Sequence, residues 1–285
     1  METSPAAQRL AARFVAGETL DQALDSARKL NSEGIRVTFD CLGESVASLA
    51  EAVAARDVYL RTLAAIHQTG IRGNVSLKLT QFGLDFSIGD CRANVERLVR
   101  QAAAADLFVR VDMESSAYTS RTLDLVRELH ARHQAVGVVI QACLRRSRRD
   151  IEELCRDGIR VRLCKGAYLE PASVAFPRKR DVDRNFAELM KLLLDRGHYP
   201  AIATHDEALI EETKRHAASR KTPPDAFEFQ MLYGIRGELQ RKLVRDGYRL
   251  RLYVPFGKAW YPYYMRRLAE RPANVFFVLR NLLRR

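Results

Sequence analysis

The sequence predicts an α/β protein built as one closed (β/α)8 barrel. Three observations carry that expectation. Short β-branched runs occur eight times, stretches of helical period lie between them, and strand starts fall about 31 residues apart on average, a βα-unit length. Strict alternation of strand and helix argues for a parallel sheet, and eight units argue for closure. The rival is an open doubly wound sheet, which usually carries a glycine-rich nucleotide loop after its first strand. Here that loop reads CLGES, without a GxGxxG pattern.

In chain order, two helical segments come first, at roughly 4–16 and 18–31. The strand runs follow: RVTFD (36–40), VSLKL (75–79), LFVRVDM (107–113), VGVVIQA (136–142), IRVRLCK (159–165), YPAIATH (199–205), AFEFQML (226–232) and LRLYVPF (250–256). Between them lie NVERLVRQAAAA (94–105), RTLDLVRELHARH (121–133) and VDRNFAELMKLLLDRG (182–197), with apolar residues at i, i+3, i+4 and i+7. A last helix is expected at roughly 274–283. The expectation is a single domain over residues 1–285, with residues 1–35 as an N-terminal helical cap. No linker or low-complexity segment interrupts it.

Apolar content of 47% is enough to bury a real core. The net charge of +12 and a pI of about 9.7 suit an anionic partner, or simply a solvated basic surface. Five cysteines, none spaced as CxxC, argue against a zinc site or a disulfide framework and fit a reducing cytosol. The N-terminus has no uninterrupted apolar core of a secretory signal. No stretch approaches the roughly 18 apolar residues that span a bilayer.

In a (β/α)8 barrel the chemistry collects at the C-terminal ends of the strands. Strand two ends at Lys78, and strand three in Asp112, Met113 and Glu114. Strand four carries Gln141. Strand five carries Arg162 and Lys165, followed by Gly166, Ala167 and Tyr168. Strand six ends in Thr204 and His205, strand seven holds Glu228, Gln230 and Leu232, and strand eight holds Tyr253. Any one of these could be an ordinary internal ion pair, and a lone His205 is more often structural than catalytic. Polar groups converging on one rim are costly to bury unless paired, so together they suggest a polar ligand site.

The stretch YPYYMRRLAE (261–270) sets Arg266 and Arg267 side by side behind a cluster of tyrosines. On a helix their Cβ atoms point about 100° apart. Glu270, at i+4 and i+3 from them, can orient one. Such a fork of donors suits a carboxylate or a phosphate.

The stretches NVSLKLTQFGL, RVDMES, RVRLCKGAYLEP, AIATH, FEFQMLYGI and VPFGKAWYPYYMRRLAERPAN together resemble the proline dehydrogenases, from about Thr38 to Asn281. The chain is too short for the added aldehyde dehydrogenase domain of the bifunctional forms, so it resembles the monofunctional bacterial form. The resemblance implies a distorted, TIM-like (β/α)8 barrel that oxidises L-proline to Δ1-pyrroline-5-carboxylate. Hydride would pass from proline C5 to N5 of FAD, and electrons onward to a quinone. It implies that Lys78, Arg266 and Arg267 bind the proline carboxylate, and that Tyr253, Leu232 and Tyr263 wall the ring. Arg162 would sit near the flavin N5, and Asp112 would be an active-site acid linked to Lys78. Met113, Gln141, Arg162, Lys165, Gly166, Ala167, Thr204 and His205 would contact FAD. Glu44 would gate the pocket by pairing with Arg266, and Glu270 would orient the arginines. The sequence departs from the family at Cys164, Asp206 and Val182, where valine, asparagine and threonine are common.

The same resemblance implies a cytoplasmic enzyme, with peripheral docking on the inner face of the cell membrane and hand-off of product to a pyrroline-5-carboxylate dehydrogenase. Two other classes stay open at this point. One is a Schiff-base barrel of the class I aldolase kind, using Lys165 or Lys78. The other is a basic nucleic-acid-binding protein, for which RRSRR (145–149) speaks, although no aromatics are interleaved and no nucleic-acid motif is visible.

Overall fold

The computed structural model describes residues 13–43, 45–261, 263 and 265. Eight parallel strands hydrogen-bond in sequence order and close on themselves. They are β1 (Arg36–Cys41), β2 (Gly73–Leu77), β3 (Val109–Val111), β4 (Val136–Gln141), β5 (Val161–Cys164), β6 (Ala201–Ala203), β7 (Glu228–Leu232) and β8 (Leu250–Phe256). The longest pairing is the closing one, from Arg36 against Arg251 through Cys41 against Phe256. The helices are α1 (Leu20–Ser32), α2 (Leu49–Thr69), α3 (Ile88–Ala104), α4 (Thr119–His133), α5 (Ser147–Arg156), α6 (Lys179–Arg196), α7 (Glu207–Ser219) and α8 (Gly237–Arg245).

Local chemistry sets the helix starts. Thr19 and Gln22 form a capping box at α1, and Ser48, Ser87 and Asp206 each accept a backbone N–H at the starts of α2, α3 and α7. The strands alternate with period two, but both faces are buried. Val37, Phe39, Val75, Leu77, Val109, Val111, Val138, Ile140, Val161, Leu163, Phe229, Leu252 and Val254 belong to one continuous apolar core. Burying a Val, Leu or Phe side chain stabilises by about 1.5–3 kcal/mol each, and this layer holds the ring of helices to the barrel. The alternate positions carry the polar residues that fill the interior.

Most expected strands overrun the observed ones by one to four residues. The second shows why. Leu79 is apolar and fully buried, yet it opens a 3-10 turn (Leu79–Phe82), and Lys78 is its N-cap rather than a strand residue. A short apolar run packs equally well in either conformation. Likewise Asp112, Met113 and Glu114 follow the end of β3.

The first N-terminal helix is corrected at its described end. Residues 13–15 form a turn and bend, and the Ala16 amide donates to the Pro255 carbonyl at 2.8 Å. That stretch pairs with the end of β8, and Phe14 and Val15 pack with Leu42, Trp260 and Tyr263 in a separate apolar cluster. The second helix stands as α1, packed on the β1–β8 part of the wall. The helix expected at 274–283 lies outside the described residues.

Candidate active site

The barrel interior is polar in two tiers. In the lower one, Arg251 Nε lies 2.8 Å from Glu228 Oε1, while its Nη1 donates to the Val37 carbonyl at 2.8 Å. Gln230 and the Tyr199 hydroxyl also donate to Glu228, at 2.5 and 3.2 Å. Burial alone would push the Glu228 carboxyl up. The Arg251 charge and these hydrogen bonds outweigh it and hold the group down at about 2. Arg110, also buried, donates to the carbonyls of Val138 and Arg160 at 3.2 and 2.6 Å. Gly137 makes room for it, because a Cβ there would run into the Arg160 carbonyl and the Arg110 guanidinium. Burial, with Arg162 and Arg251 nearby, holds Arg110 well below its ordinary value.

The upper tier lies at the strand ends. Asp112 is held by three donors: Ser76 Oγ at 2.6 Å, Arg162 Nη1 at 2.8 Å and the Tyr253 hydroxyl at 2.7 Å. The Arg162 guanidinium stands 5.4 Å from the centre of the Tyr253 ring. Its Nε and Nη2 are buried without a hydrogen-bond partner among the described residues. Burial, and repulsion from Asp112 and Asp40, push the Tyr253 phenol well above its ordinary value, so it serves as a neutral donor.

Lys78 points into the same tier, with Nζ 3.5 Å from Asp40 Oδ1. Asp40 is fully buried, as is Tyr59, whose hydroxyl stands 2.8 Å from the Ser76 carbonyl and 3.3 Å from Asp40. Burial first, then the Asp112 charge, raise the Asp40 pKa against the opposing pull of Lys78 and Tyr253. Sequence reasoning passed over Asp40, Ser76 and Tyr59. The strand-end rule, applied to the last residue of RVTFD, finds Asp40. Nothing local marks Tyr59, which reaches the site from the buried face of α2.

The remaining site candidates form a rim. Met113 and Gln141 are buried, and Gln141 donates to the Glu114 carbonyl at 2.8 Å. Gly166 has φ +107°, and a Cβ on it would strike Cys143 Sγ and stand 3.0 Å from Gln141 Oε1. Ala167 follows it, exposed. Lys165 Nζ lies 2.5 Å from Asp183 and 2.9 Å from Asp206. Thr204 Oγ1 accepts from the Asp206 amide, and His205 Nε2 accepts from the Leu232 amide at 3.0 Å. The second bond makes Nε2 the unprotonated nitrogen and ties strand ends six and seven together. Tyr263 is buried beside Leu42 and Trp260. Glu44, Arg266, Arg267 and Glu270 lie outside the described residues.

Two rival readings weaken at this level. A Schiff-base lysine must be free to attack a carbonyl carbon, and Lys165 Nζ is engaged by two carboxylates, Asp183 and Asp206. The RRSRR run is matched by acids: Arg146 pairs with Asp150, Arg148 with Glu152 and Arg149 with Glu153, while Arg145 stacks on Phe176.

A closed parallel barrel whose strand ends gather two cations, two carboxylates and a neutral phenol is a (β/α)8 barrel with a polar candidate site at the C-terminal ends of its strands. Comparison with known proteins narrows this. The family model for proline dehydrogenase matches residues 23–280. Proline dehydrogenase 1 of Bacillus subtilis (strain 168) is 42% identical over 275 residues, covering 96% of this chain and 91% of its own. The proline dehydrogenase of Deinococcus radiodurans is 42% identical over 284 residues, at 96% and 90% coverage. Among solved structures, proline utilization A from Bdellovibrio bacteriovorus, inactivated by N-propargylglycine, superposes with a TM-score of 0.85 at 26% identity. It covers 92% of this chain, which spans only 32% of that longer protein. The chain belongs to the proline dehydrogenase family.

Proposed function

We propose that this enzyme oxidises L-proline to Δ1-pyrroline-5-carboxylate, with FAD bound at the C-terminal end of the barrel. Proline oxidation follows from membership of the family, which is one of flavin-dependent oxidoreductases. The observation that carries the flavin site is Arg162: two buried guanidinium donors at a strand end without partners among the described residues. They fit the acceptor atoms on the edge of an isoalloxazine ring, and Gly166 leaves space where a side chain would intrude. When bound, FAD supplies the acceptor for the hydride leaving proline C5.

The chain's own residues do the rest. Lys78, Arg266 and Arg267 clamp the substrate carboxylate, which fixes the ring and removes orientational freedom. Tyr253, Leu232 and Tyr263 wall the ring and exclude water. Asp112, braced by Ser76, Arg162 and Tyr253, fixes the Arg162 guanidinium where negative charge develops. Met113, Gln141, Lys165, Gly166, Ala167, Thr204 and His205 would hold FAD. Glu44 with Arg266 gates the pocket, and Glu270 orients the arginines. A quinone would be the onward electron acceptor. The excess positive charge favours docking on anionic lipid headgroups, and among the described residues no helix is long and apolar enough to cross a membrane.

The purified protein is expected to be yellow and to release FAD on denaturation. A colourless protein that cannot be reconstituted with FAD sinks the flavin site. Arg267→Met is expected to keep FAD but lose about 2–4 kcal/mol of transition-state stabilisation, roughly 30- to 1000-fold in kcat/KM. Near-normal kcat/KM in that variant refutes the clamp.

A further inference from the structure

Asp40 is a buried carboxyl of the upper tier to which the reaction has so far given no task. Its side chain is almost wholly enclosed, at 1% exposure. Among the described residues, the groups around it come from several elements. Lys78 comes from the turn after β2, Tyr59 from α2, Asp112 from the end of β3 and Tyr253 from β8. Cys41 follows it on its own strand, and Gln81 meets the Tyr59 hydroxyl at 3.4 Å. Lys78 and Tyr59 approach Oδ1, at 3.5 and 3.3 Å. Oδ2 is buried with no hydrogen-bond partner among the described residues.

The two carboxylates of this tier are therefore unequal. Asp112 has a guanidinium, a hydroxyl and a phenol, all within 2.8 Å. Asp40 has only an ammonium at 3.5 Å and a phenol at 3.3 Å, both on Oδ1, and its Oδ2 has no hydrogen-bond partner among the described residues. An unsatisfied oxygen in a dry site is where a proton is most readily accommodated. The substrate brings both a carboxylate that competes for Lys78 and an ammonium with a proton to lose. That proton must go before hydride can leave, since only a free nitrogen lone pair can form the C=N bond.

We propose that Asp40 takes up one proton when a substrate carboxylate docks on Lys78, and that with proline this proton is the substrate's own ammonium proton. This rests on the reading of Lys78 as a carboxylate ligand. The N–H bond breaks, an O–H bond forms on the Asp40 carboxylate, and the electron pair stays on nitrogen. The carboxylate that enters is matched by the one that is neutralised, so the net charge of the tier is unchanged by docking. Ground-state binding thus prepares the amine, and Asp40 acts as the proton acceptor that carboxylate docking switches on.

The test uses the oxidised, FAD-loaded enzyme and tetrahydrofuran-2-carboxylate, in which an ether oxygen replaces the amine. This ligand has no ammonium proton to give, so the proton must come from solvent. Its Kd is read from the flavin absorbance between pH 6 and 9, and proton uptake from calorimetry in buffers of different ionisation enthalpy. Wild type is expected to take up about one proton per ligand above the pKa of Asp40 in the free enzyme, with Kd rising about tenfold per pH unit there. Asp40→Asn is expected to bind with a flat Kd and no uptake. The infrared difference spectrum of wild type is expected to gain a protonated-carboxyl C=O band when ¹³C-labelled ligand is added, which needs no variant to fold. A flat wild-type profile, an Asp40→Asn slope equal to that of wild type, or no new acid band overturns the proposal. Lys78→Met separates the two readings. If it binds the ligand as tightly as wild type, the carboxylate clamp is wrong. If it binds at least tenfold more weakly while Asp40→Asn keeps the wild-type slope, the clamp stands and the role of Asp40 falls.

Discussion

Replacing Glu228 by Gln keeps the shape of the barrel floor and removes one charge. The Glu228 carboxyl is held at about 2 against an ordinary value of 4.5. At about 1.4 kcal/mol per tenfold change in protonation, this corresponds to about 3 kcal/mol of stability at neutral pH. Glu228 is 2% exposed, so solvent screening takes little from that figure. The variant also strands Arg251, 2.8 Å away and itself buried, and breaking a buried pair from one side costs about 3–5 kcal/mol. The two routes agree. In a chain of this size, a loss near 3 kcal/mol lowers Tm by roughly 6–12 °C. Urea unfolding followed by circular dichroism measures it directly. The sign with pH is fixed: a depressed carboxyl stabilises fully above 4.5 and loses that contribution as pH falls through about 2. The gap between wild type and Glu228→Gln should therefore narrow over that window, and Glu228→Gln/Arg251→Met should recover part of the loss. An unchanged urea midpoint at pH 7, or a gap indifferent to pH between 4.5 and 2, would refute the reasoning.

Two further expectations concern the rim and the wall. Tyr253→Phe keeps the ring but removes the 2.7 Å bond to Asp112, a loss of about 1–3 kcal/mol that should lower kcat/KM roughly 5- to 150-fold in steady-state assays. Tyr253→Ser, which opens space beside proline C4, should narrow the preference for proline over 4-hydroxyproline; an unchanged ratio of kcat/KM places Tyr253 elsewhere. Gly166→Ala should weaken FAD retention on gel filtration, because φ +107° disfavours any side chain and its Cβ would strike Cys143 Sγ. Wild-type flavin content in that variant would remove Gly166 from the cofactor cradle.

Much of the barrel could be read along the chain, because each βα unit carries its own periodic pattern and the signal is local. The run LRLYVPF gives β8 at its observed bounds, while the stretch around Lys78 misleads because an apolar residue such as Leu79 is as content in a 3-10 turn as in a strand. The strand-end rule likewise brought Lys78, Asp112, Arg162, Gln141 and Tyr253 to one end of the barrel. Sequence alone did not decide which cation meets which acid. Asp112 and Arg162 are 50 residues apart in the chain and meet through the pairing of β3 and β5 with β4, while Asp112 and Tyr253 are 141 apart and meet because β8 closes on β1. Nor could it show that Asp40 Oδ2 has no hydrogen-bond partner among the described residues while Asp112 is bonded at both oxygens. Both are aspartates at strand ends, and their difference in chemistry comes from burial and from the donors that other strands deliver. Patterning fixes which face a residue shows, since that depends on neighbours two to four positions away; pairing and protonation depend on distances of a few ångströms between residues far apart in sequence, and those exist only in the closed barrel.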